Sequence, residues 1–212
     1  MGEGRGWWIA LEGGEGSGKS TQARMLADAV GAVLTREPGA TPVGARVRAL
    51  LLDPLVTGLD ARAEALLLAA DRAQHLARVV IPALEAGGVV VSDRSAWSSI
   101  AYQGYGRGLD LDRVRDVSDW AMGGRWPDLA VLVDVPPEVA TRRLAVRGRV
   151  PDRLESEDGA FHRRVREGFS SLAAGAPARW VVIDGVGTQV EVATRIRTAV
   201  RERMGPSVGW PP

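Results

Sequence analysis

Cysteine is absent from the 212 residues of this chain, and Lys19 is the only lysine. Without thiols, disulfides and thiolate metal sites are excluded, and a cytoplasmic protein is expected. Basic and acidic residues nearly balance, at 27 and 26, so no basic field predicts nucleic acid as a partner. Every apolar run is far shorter than the roughly 20 residues of a membrane helix, and no secretory signal is expected at the start of the chain.

Five short apolar segments alternate with helical patterns along the chain. The predicted strands are 7–11, 32–35, 89–92, 129–134 and 180–184. The predicted helices are 19–30, 61–84, 113–122, 137–147, 159–174 and 189–203. Several strands are apolar throughout, which is typical of strands buried on both faces. The alternation predicts one α/β domain over residues 1–212, with a parallel sheet of five strands flanked by helices on both faces.

Two stretches inside this pattern lack regular periodicity, 37–42 and 147–157. The second is rich in arginine, glycine and proline, which predicts a mobile surface loop. Residues 205–212 are expected to form a frayed tail. Because ligands of open α/β sheets bind beyond the carboxyl ends of the strands, chemistry is expected directly after each strand.

A phosphate-binding loop follows the first strand in the segment LEGGEGSGKST. It matches the pattern G-x-x-x-x-G-K-[ST], in which backbone N–H groups and the following helix N-terminus bind phosphates. We expect Lys19 to reach the β- and γ-phosphates of ATP and the Ser20 hydroxyl to ligate Mg²⁺. The alternative is a chance glycine-rich turn, but the flanking strand and helix and the retained lysine favour the loop. The loop residues assigned to ATP are Gly13, Gly14, Glu15, Gly16, Ser17, Gly18, Lys19, Ser20 and Thr21.

The sequence also narrows the class of nucleotide-binding protein. A GTPase would read guanine with N-K-x-D, which requires a second lysine that this chain lacks. A kinase of a small metabolite therefore remains. Asp93 and Arg94 follow the third strand, where an acid can hold Mg²⁺ directly or through water and an arginine can stand between two phosphates. A surface ion pair at the end of the strand is the simpler alternative for these two residues.

Six segments together resemble the thymidylate kinase family, in the order that the family has them. They are EGGEGSGKST, TREPGATPVGARVRALLLD, ADRAQH, DRSAWSSIAYQGYGRG, PDLAVLVDVPPEVATRRL and RGRVPDRLE, within roughly residues 8–184. The resemblance implies a P-loop NTPase fold with a mobile lid, and transfer of the γ-phosphoryl of ATP to dTMP, giving dTDP and ADP. It also implies Mg²⁺ as cofactor and a homodimer.

The resemblance also implies an acceptor site. Arg48, on a helix after EPG, would hold the acceptor monophosphate, and Arg72 would donate to the thymine O4. Tyr102 would lie under the sugar, where it crowds a ribose 2′-OH, and Glu15 would accept a hydrogen bond from the 3′-OH. Asp71 and His75 are expected to orient and pack. The residues assigned to dTMP are Glu15, Pro38, Arg48, Leu68, Arg72, Arg94, Ser99, Tyr102 and Gln103.

The loop 147–157 resembles the family's lid. Arg147 resembles a residue that packs on the donor adenine, and Arg149 and Arg153 are candidates for the arginine that stabilises the transferred phosphoryl. Some family members carry that arginine in the phosphate loop, at the position that Gly16 occupies here. The chain therefore resembles the bacterial style, in which the lid supplies the charge. The catalytic residues implied are Lys19, Arg94, Arg149 and Arg153.

The chain departs from the family's pattern at a few positions. Leu68 stands where the family usually has a phenylalanine that stacks on thymine, and Ser95 stands where an aromatic residue or histidine is common. Ala40 replaces a usual glycine. Two rival functions stay open: a kinase of another small acceptor, such as a cytidylate or a deoxynucleoside, and a nucleotide-binding regulatory protein that transfers nothing.

Overall fold

Residues 6–148 and 150–205 are described by a computed structural model. Within that part of the chain, five parallel strands form one sheet in the order β2-β3-β1-β4-β5. They are β1 (Trp7–Glu12), β2 (Val33–Arg36), β3 (Val89–Asp93), β4 (Leu129–Asp134) and β5 (Trp180–Asp184). The predicted α/β fold with a five-stranded parallel sheet is confirmed, and each strand agrees with its predicted bounds to within one residue.

Helices connect the strands and cover both faces of the sheet. They are α1 (Lys19–Val30), α2 (Pro42–Leu52), α3 (Ala61–His75), α4 (Ile81–Glu85), α5 (Ala96–Ser99), α6 (Leu111–Met122), α7 (Pro137–Val146), α8 (Gly159–Gly175) and α9 (Gln189–Met204). A π-helical segment, Leu76–Val80, joins α3 to α4, so the predicted helix over 61–84 is continuous but changes its winding. A second π-helical segment, Ile100–Gly106, prolongs α5. Sequence periodicity did not predict this second helix, because it is short and contains two glycines.

The core lies in two layers, one on each face of the sheet. On one face, Leu26 and Ile196 pack against strand residues such as Leu11. On the other face, Phe161 and Phe169 of α8 pack against Ile100 and its neighbours. Burial of β1 from both sides explains why this strand is apolar almost throughout. None of the described helices is long and apolar enough to cross a membrane.

The parallel register brings the ends of β1 and β3 together. Leu11 pairs with Asp93, and Arg36 of β2 pairs with the same aspartate. The phosphate loop leaves β1 and the Asp93-Arg94 pair ends β3, so both meet at the same edge of the sheet. The backbone N–H of Arg94 donates to the Leu11 carbonyl at 2.9 Å, which ties the two strand ends directly.

Candidate active site

A cavity of about 590 Å³ opens at this edge of the sheet. Its volume lies within the range of pockets that hold small ligands. All nine residues predicted for the acceptor line it, together with three from the donor side and one from the lid loop. These are Glu15, Lys19, Ser20, Pro38, Arg48, Leu68, Arg72, Asp93, Arg94, Ser99, Tyr102, Gln103 and Arg147.

Backbone geometry makes glycine necessary at two positions of the phosphate loop. Gly13 has a φ of 148°, and a Cβ there would lie 2.7 Å from the Val133 carbonyl oxygen. Gly16 has a φ of 74°, and its Cβ would lie 2.6 Å from the Ala140 carbonyl oxygen. Such a positive φ and such close backbone contacts tolerate no ordinary side chain. The loop is therefore wedged against the end of β4 and against α7.

Lys19 and Arg143 each donate a hydrogen bond to the backbone of the phosphate loop. The Lys19 ammonium donates to the Gly14 carbonyl at 3.3 Å, which folds the lysine back over the loop. From α7, Arg143 donates to the Ser17 carbonyl at 3.0 Å and to the Gly185 carbonyl at 2.9 Å. Arg143 was not among the predicted site residues, because nothing in the sequence distinguishes it from the adjacent Arg142 on the same helix.

Glu15, Arg94 and Tyr102 form a hydrogen-bonded cluster across the cavity. The Arg94 guanidinium pairs with the Glu15 carboxylate, and the Tyr102 hydroxyl donates to the same carboxylate at 2.8 Å. Burial opposes the charge on Glu15, but the charges of Lys19 and Arg94 outweigh burial and hold the pKa of Glu15 well below its usual range. The negative charge in the phosphate loop is thus neutralised by cations on either side.

Arg94 is held in an unusual backbone conformation. Its φ of 75° lies in the left-handed region, which no other non-glycine residue within 6–148 and 150–205 adopts. A non-glycine residue in this region is strained and persists only where its surroundings fix it. Here the guanidinium also donates to the Gly13 carbonyl at 3.1 Å and to the Ser98 hydroxyl at 3.0 Å. The arginine is therefore fixed at both ends between the phosphate loop and α5.

The buried acid Glu12 binds the serines that lie next to Arg94. Glu12 ends β1 and is fully buried, where it accepts hydrogen bonds from Ser95 at 2.7 Å and Ser98 at 2.6 Å. Burial raises the pKa of Glu12 to about 7, although both serine hydrogen bonds act in the opposite direction. Glu12 was not among the predicted site residues. The available signal was an acid in a strand that is otherwise apolar.

A network on β2 and α3 positions Arg72. Its Nε donates to Glu37 at 2.8 Å, and its Nη2 donates to the Ser99 hydroxyl at 3.0 Å. His75 contacts Glu37 at 2.9 Å and Thr35 at 2.7 Å, and it is completely buried. Burial opposes the charge on Glu37, but the Arg72 charge and His75 outweigh it and lower its pKa. Among the described residues Arg72 Nη1 finds no acceptor, although Arg72 lines the cavity.

Arg48 reaches the cavity from α2. Thr41 caps this helix by accepting a hydrogen bond from the Gly44 N–H at 3.0 Å, and Pro42 begins it. The Arg48 guanidinium donates to the Pro38 carbonyl at 3.0 Å. Burial, and then the nearby charge of Arg36, lower the pKa of Arg48. An anion bound beside this guanidinium would stabilise its positive charge and so offset both the burial and the repulsion from Arg36.

The predicted lid arginines lie in different places. Arg153 does not line the cavity: its Nη2 donates to Glu64 of α3 at 2.5 Å, and its Nε donates to the Leu51 carbonyl at 2.8 Å. Arg147 lines the cavity and donates to Glu155 at 3.4 Å. Arg149 lies outside the described residues, as do residues 206–212 of the predicted tail. Glu64, which binds Arg153, was also missed by sequence analysis.

Asp93 and Ser20 offer oxygen atoms that suit a hard cation such as Mg²⁺ as ligands. Asp93 Oδ1 is buried and makes no hydrogen bond within the described part of the chain, and Ser20 lines the same cavity. Carboxylate and hydroxyl oxygens are ligands that Mg²⁺ prefers. No group of three or more His, Cys, Asp or Glu residues that could hold a metal occurs in 6–148 and 150–205. Such an ion would therefore take most of its ligands from phosphate oxygens and water.

Known proteins match this chain over nearly its whole length. The family model described as Thymidylate kinase matches residues 11–196. The thymidylate kinase of Halothermothrix orenii is 48% identical over 206 residues, which cover 93% of this chain and 97% of the relative. That of Deinococcus radiodurans is 47% identical over 204 residues, covering 94% and 98%. The crystal structure of thymidylate kinase from Ehrlichia chaffeensis superposes with a TM-score of 0.76 at 32% identity, covering 93% of this chain and 99% of that one.

Proposed function

This chain belongs to the thymidylate kinase family, and we propose that its cavity transfers the γ-phosphoryl of ATP to dTMP, giving dTDP and ADP. The protein is an ATP-dependent phosphotransferase. The observation that carries this function is the Glu15–Arg94–Tyr102 cluster, which joins the phosphate loop to the wall of the acceptor cavity. A loop that only held ATP would have no use for a carboxylate at this position.

The base of dTMP is read by a donor beside an acceptor. Arg72 Nη1 offers an N–H and Gln103 Oε1 offers a lone pair, and neither has a partner among the residues described. Thymine presents the complementary pair, the O4 acceptor and the N3–H donor. Leu68 lines the same cavity and covers the ring by apolar contact.

The sugar lies between Glu15 and Tyr102. The Glu15 carboxylate is ionised, so it accepts a hydrogen bond from the 3′-OH. The Tyr102 ring is buried against Phe161 and Phe169, which fixes it in place. A fixed ring beneath C2′ crowds a ribose hydroxyl and so favours the deoxy sugar.

The acceptor phosphate is bound by Arg48 and Arg94. Both guanidinium groups line the cavity, and their planar donors suit phosphate oxygens. The Arg94 charge also faces the phosphoryl group as it moves between donor and acceptor. Because the acceptor phosphate is already ionised, the reaction needs no strong general base, and alignment with charge neutralisation supplies most of the rate.

The donor triphosphate lies on the phosphate loop. Backbone N–H groups of 13–18 and the start of α1 hold its oxygens, and Lys19 neutralises the β- and γ-phosphates. Ser20 and Asp93 would hold Mg²⁺, which would supply positive charge to the phosphate groups when bound. Arg147 of the lid loop packs on the adenine.

The arginine that stabilises the transferred phosphoryl comes from the lid loop 147–157. Gly16 admits no arginine in the phosphate loop because its backbone is wedged against Ala140. Arg149 or Arg153 therefore supplies this charge, and Arg153 has to leave Glu64 to do so. A lid that moves also excludes water from the transferred phosphoryl.

The whole chain acts as one domain within a cytoplasmic homodimer. Leu66 on α3 and Trp120 on α6 leave 57% and 85% of their surface exposed, although these two helices pack against each other. Large exposed apolar side chains on neighbouring helices favour a protein partner. A Trp120→Glu substitution is expected to shift the mass in light scattering from dimer to monomer. A cytoplasmic location agrees with the proposed substrates, because ATP is present in the cytoplasm.

A coupled ADP-release assay across dTMP, dUMP, dCMP and AMP tests the function. We expect dTMP to have the highest kcat/KM, and Lys19→Ala to lower kcat on the order of 10²–10³. A higher kcat/KM with dCMP would establish a kinase of another acceptor. Binding of ATP without any monophosphate-dependent ADP release would instead establish a nucleotide-binding regulatory protein.

A further inference from the structure

Glu64 is a buried carboxylate that binds three side chains from two other segments. It lies on α3 with 0% of its surface exposed. It accepts hydrogen bonds from Gln103 Nε2 at 2.8 Å, from Arg107 Nε and Nη2 at 3.2 and 3.0 Å, and from Arg153 Nη2 at 2.5 Å. Burial opposes its charge, but the hydrogen bonds from Arg107, Gln103 and Arg153 outweigh burial and lower the pKa of Glu64. The carboxylate is therefore ionised at neutral pH.

An ionised carboxylate fixes the orientation of the Gln103 amide. The amide has one donor end and one acceptor end, whereas a carboxylate only accepts. The donor end, Nε2, must therefore face Glu64. The acceptor end, Oε1, is left buried and without a partner in the described residues, and Gln103 lines the cavity. A reversed amide would place its oxygen against the carboxylate oxygen, which replaces a hydrogen bond by a repulsive contact.

The orientation of Arg72, the other residue proposed to contact the base, is also fixed by hydrogen bonds. Nε of Arg72 donates to Glu37 and Nη2 donates to Ser99, whereas Nη1 is buried without an acceptor among the described residues, and Arg72 lines the cavity. A base in this cavity would therefore meet a donor from Arg72 and an acceptor from Gln103 in a set order. Thymine and uracil match this order through O4 and N3–H. Cytosine carries a 4-amino donor and an N3 acceptor, so it presents the opposite order.

We propose that Glu64 is a positioning residue that sets base specificity, because it holds the Gln103 amide with Oε1 toward the base N3–H and so rejects cytosine. This inference rests on the proposed function, since it concerns the acceptor of the same cavity. Glu64 never touches the substrate; it acts through Gln103. Sites that match hydrogen-bond donors and acceptors with fixed groups discriminate far more strongly than apolar pockets do.

Glu64→Gln tests the proposal, with kcat/KM measured for dTMP, dUMP and dCMP. A glutamine at position 64 can donate or accept, so the Gln103 amide is free to turn. We expect the dTMP-to-dCMP ratio to fall at least about tenfold, in line with the loss of one fixed hydrogen-bond partner. The dTMP-to-dUMP ratio should not change, because the two bases share the O4 and N3–H edge. General damage to the fold would not separate these two ratios.

Two further variants separate positioning from structural support. Arg107→Gln removes an ion pair with Glu64 but leaves the Gln103 hydrogen bond, so the dTMP-to-dCMP ratio is expected to stay at the wild-type value. Glu64→Asp keeps an acceptor-only group and is expected to retain most of the discrimination. If Arg107→Gln lowers the ratio as much as Glu64→Gln does, the proposal is overturned. It is also overturned if Glu64→Gln keeps the wild-type ratio.

Should Glu64→Gln not fold, as judged by circular dichroism, Gln103→Met serves as the second test. This variant removes the amide, and retention of the wild-type dTMP-to-dCMP ratio would overturn the proposal. The wild-type assay keeps this inference distinct from the function itself. A wild-type protein that releases no ADP with dTMP refutes the proposed function. A wild-type protein that uses dTMP, with an unchanged ratio in Glu64→Gln, refutes only the role of Glu64.

Discussion

The Tyr102 hydroxyl donates to the Glu15 carboxylate at 2.8 Å, so a residue of the π-helical segment 100–106 is bonded to the tip of the phosphate loop. Arg94 binds both of these side chains. The carboxylate is therefore not an obstacle to binding phosphate, because cations face it on two sides. It orders the acceptor wall of the cavity.

Replacing Glu15 is expected to lower kcat/KM for dTMP more than it weakens the binding of ATP. Glu15→Gln is expected to weaken the charge-assisted hydrogen bond to Arg94 and the proposed one to the sugar 3′-OH, and hydrogen bonds of this kind are each worth about 1.5–3 kcal/mol. We expect kcat/KM for dTMP to fall at least about tenfold, while the Kd for ATP changes little. Steady-state kinetics and ATP titration measure the two effects. Glu85→Gln, on an exposed helix end, is the matched control, and an equal loss of ATP affinity in Glu15→Gln would contradict the expectation.

Restoring an aromatic ring at position 68 is expected to tighten acceptor binding. Leu68 lines the cavity and is half-buried. A ring stacked on the base adds about 0.5–1.5 kcal/mol beyond area burial. The KM for dTMP should therefore fall about two- to tenfold in Leu68→Phe. Leu55→Phe, at a position that is 85% exposed, should leave the KM unchanged. A KM that is unchanged or higher in Leu68→Phe would refute this reading of the cavity.

Gly16 is expected to tolerate no side chain, even a methyl group. Gly16 and Gly31 both have positive φ, at 74° and 63°, but a Cβ meets Ala140 only at Gly16 and nothing within 4 Å at Gly31. Alanine at either position costs about 1–2 kcal/mol for the backbone conformation. Only Gly16→Ala should add a steric cost, so its free energy of unfolding should fall further. Denaturant titration of both variants measures this difference. Equal losses in the two variants would contradict the steric cost expected at Gly16.

The buried Glu12 is expected to make the fold less stable as the pH rises. Its pKa is raised from the ordinary 4.5 to about 7 in the folded protein. The folded state therefore binds more protons than the unfolded chain between these values, and stability is lost as the pH rises through about 7. The shift corresponds to about 3 kcal/mol. Glu12→Gln should remove this part of the pH dependence between pH 5 and 8, as measured by denaturant titration. A parallel pH dependence in the variant would contradict the assignment.

The phosphate loop and the strands were predictable because their signals are local. Lys19 and Ser20 occur within a contiguous motif, and the apolar strands are continuous in sequence. The helix 96–106 was not predictable from periodicity, since its glycines allow close packing: a Cβ on Gly106 would lie 2.7 Å from the Phe161 ring. That requirement comes from a helix more than 50 residues later in the chain.

The supporting residues were missed for a similar reason. Glu12, Glu64 and Arg143 obtain their roles from side chains that the fold brings to them, and neither the phosphate-loop pattern nor the family resemblance gave any of them a role, although Glu12 and Arg143 lie within two of the quoted segments. Arg153 is one of two candidates that the resemblance implies for the arginine at the transferred phosphoryl, and in this structure it is bound to Glu64. Its catalytic assignment stays a prediction that depends on movement of the lid.

The single lysine makes this protein open to residue-selective chemistry. Lys19 is the only side-chain amine in the chain, and it lines the cavity with 6% of its surface exposed. Burial and the neighbouring Arg94 charge lower its pKa, so a larger share of this amine is neutral and nucleophilic than of an ordinary lysine at the same pH. An amine-directed acylating reagent thus has one side-chain target, at the phosphate loop. The mass added at that residue, with and without ATP, would report occupancy of the donor site in a protein that carries no engineered label.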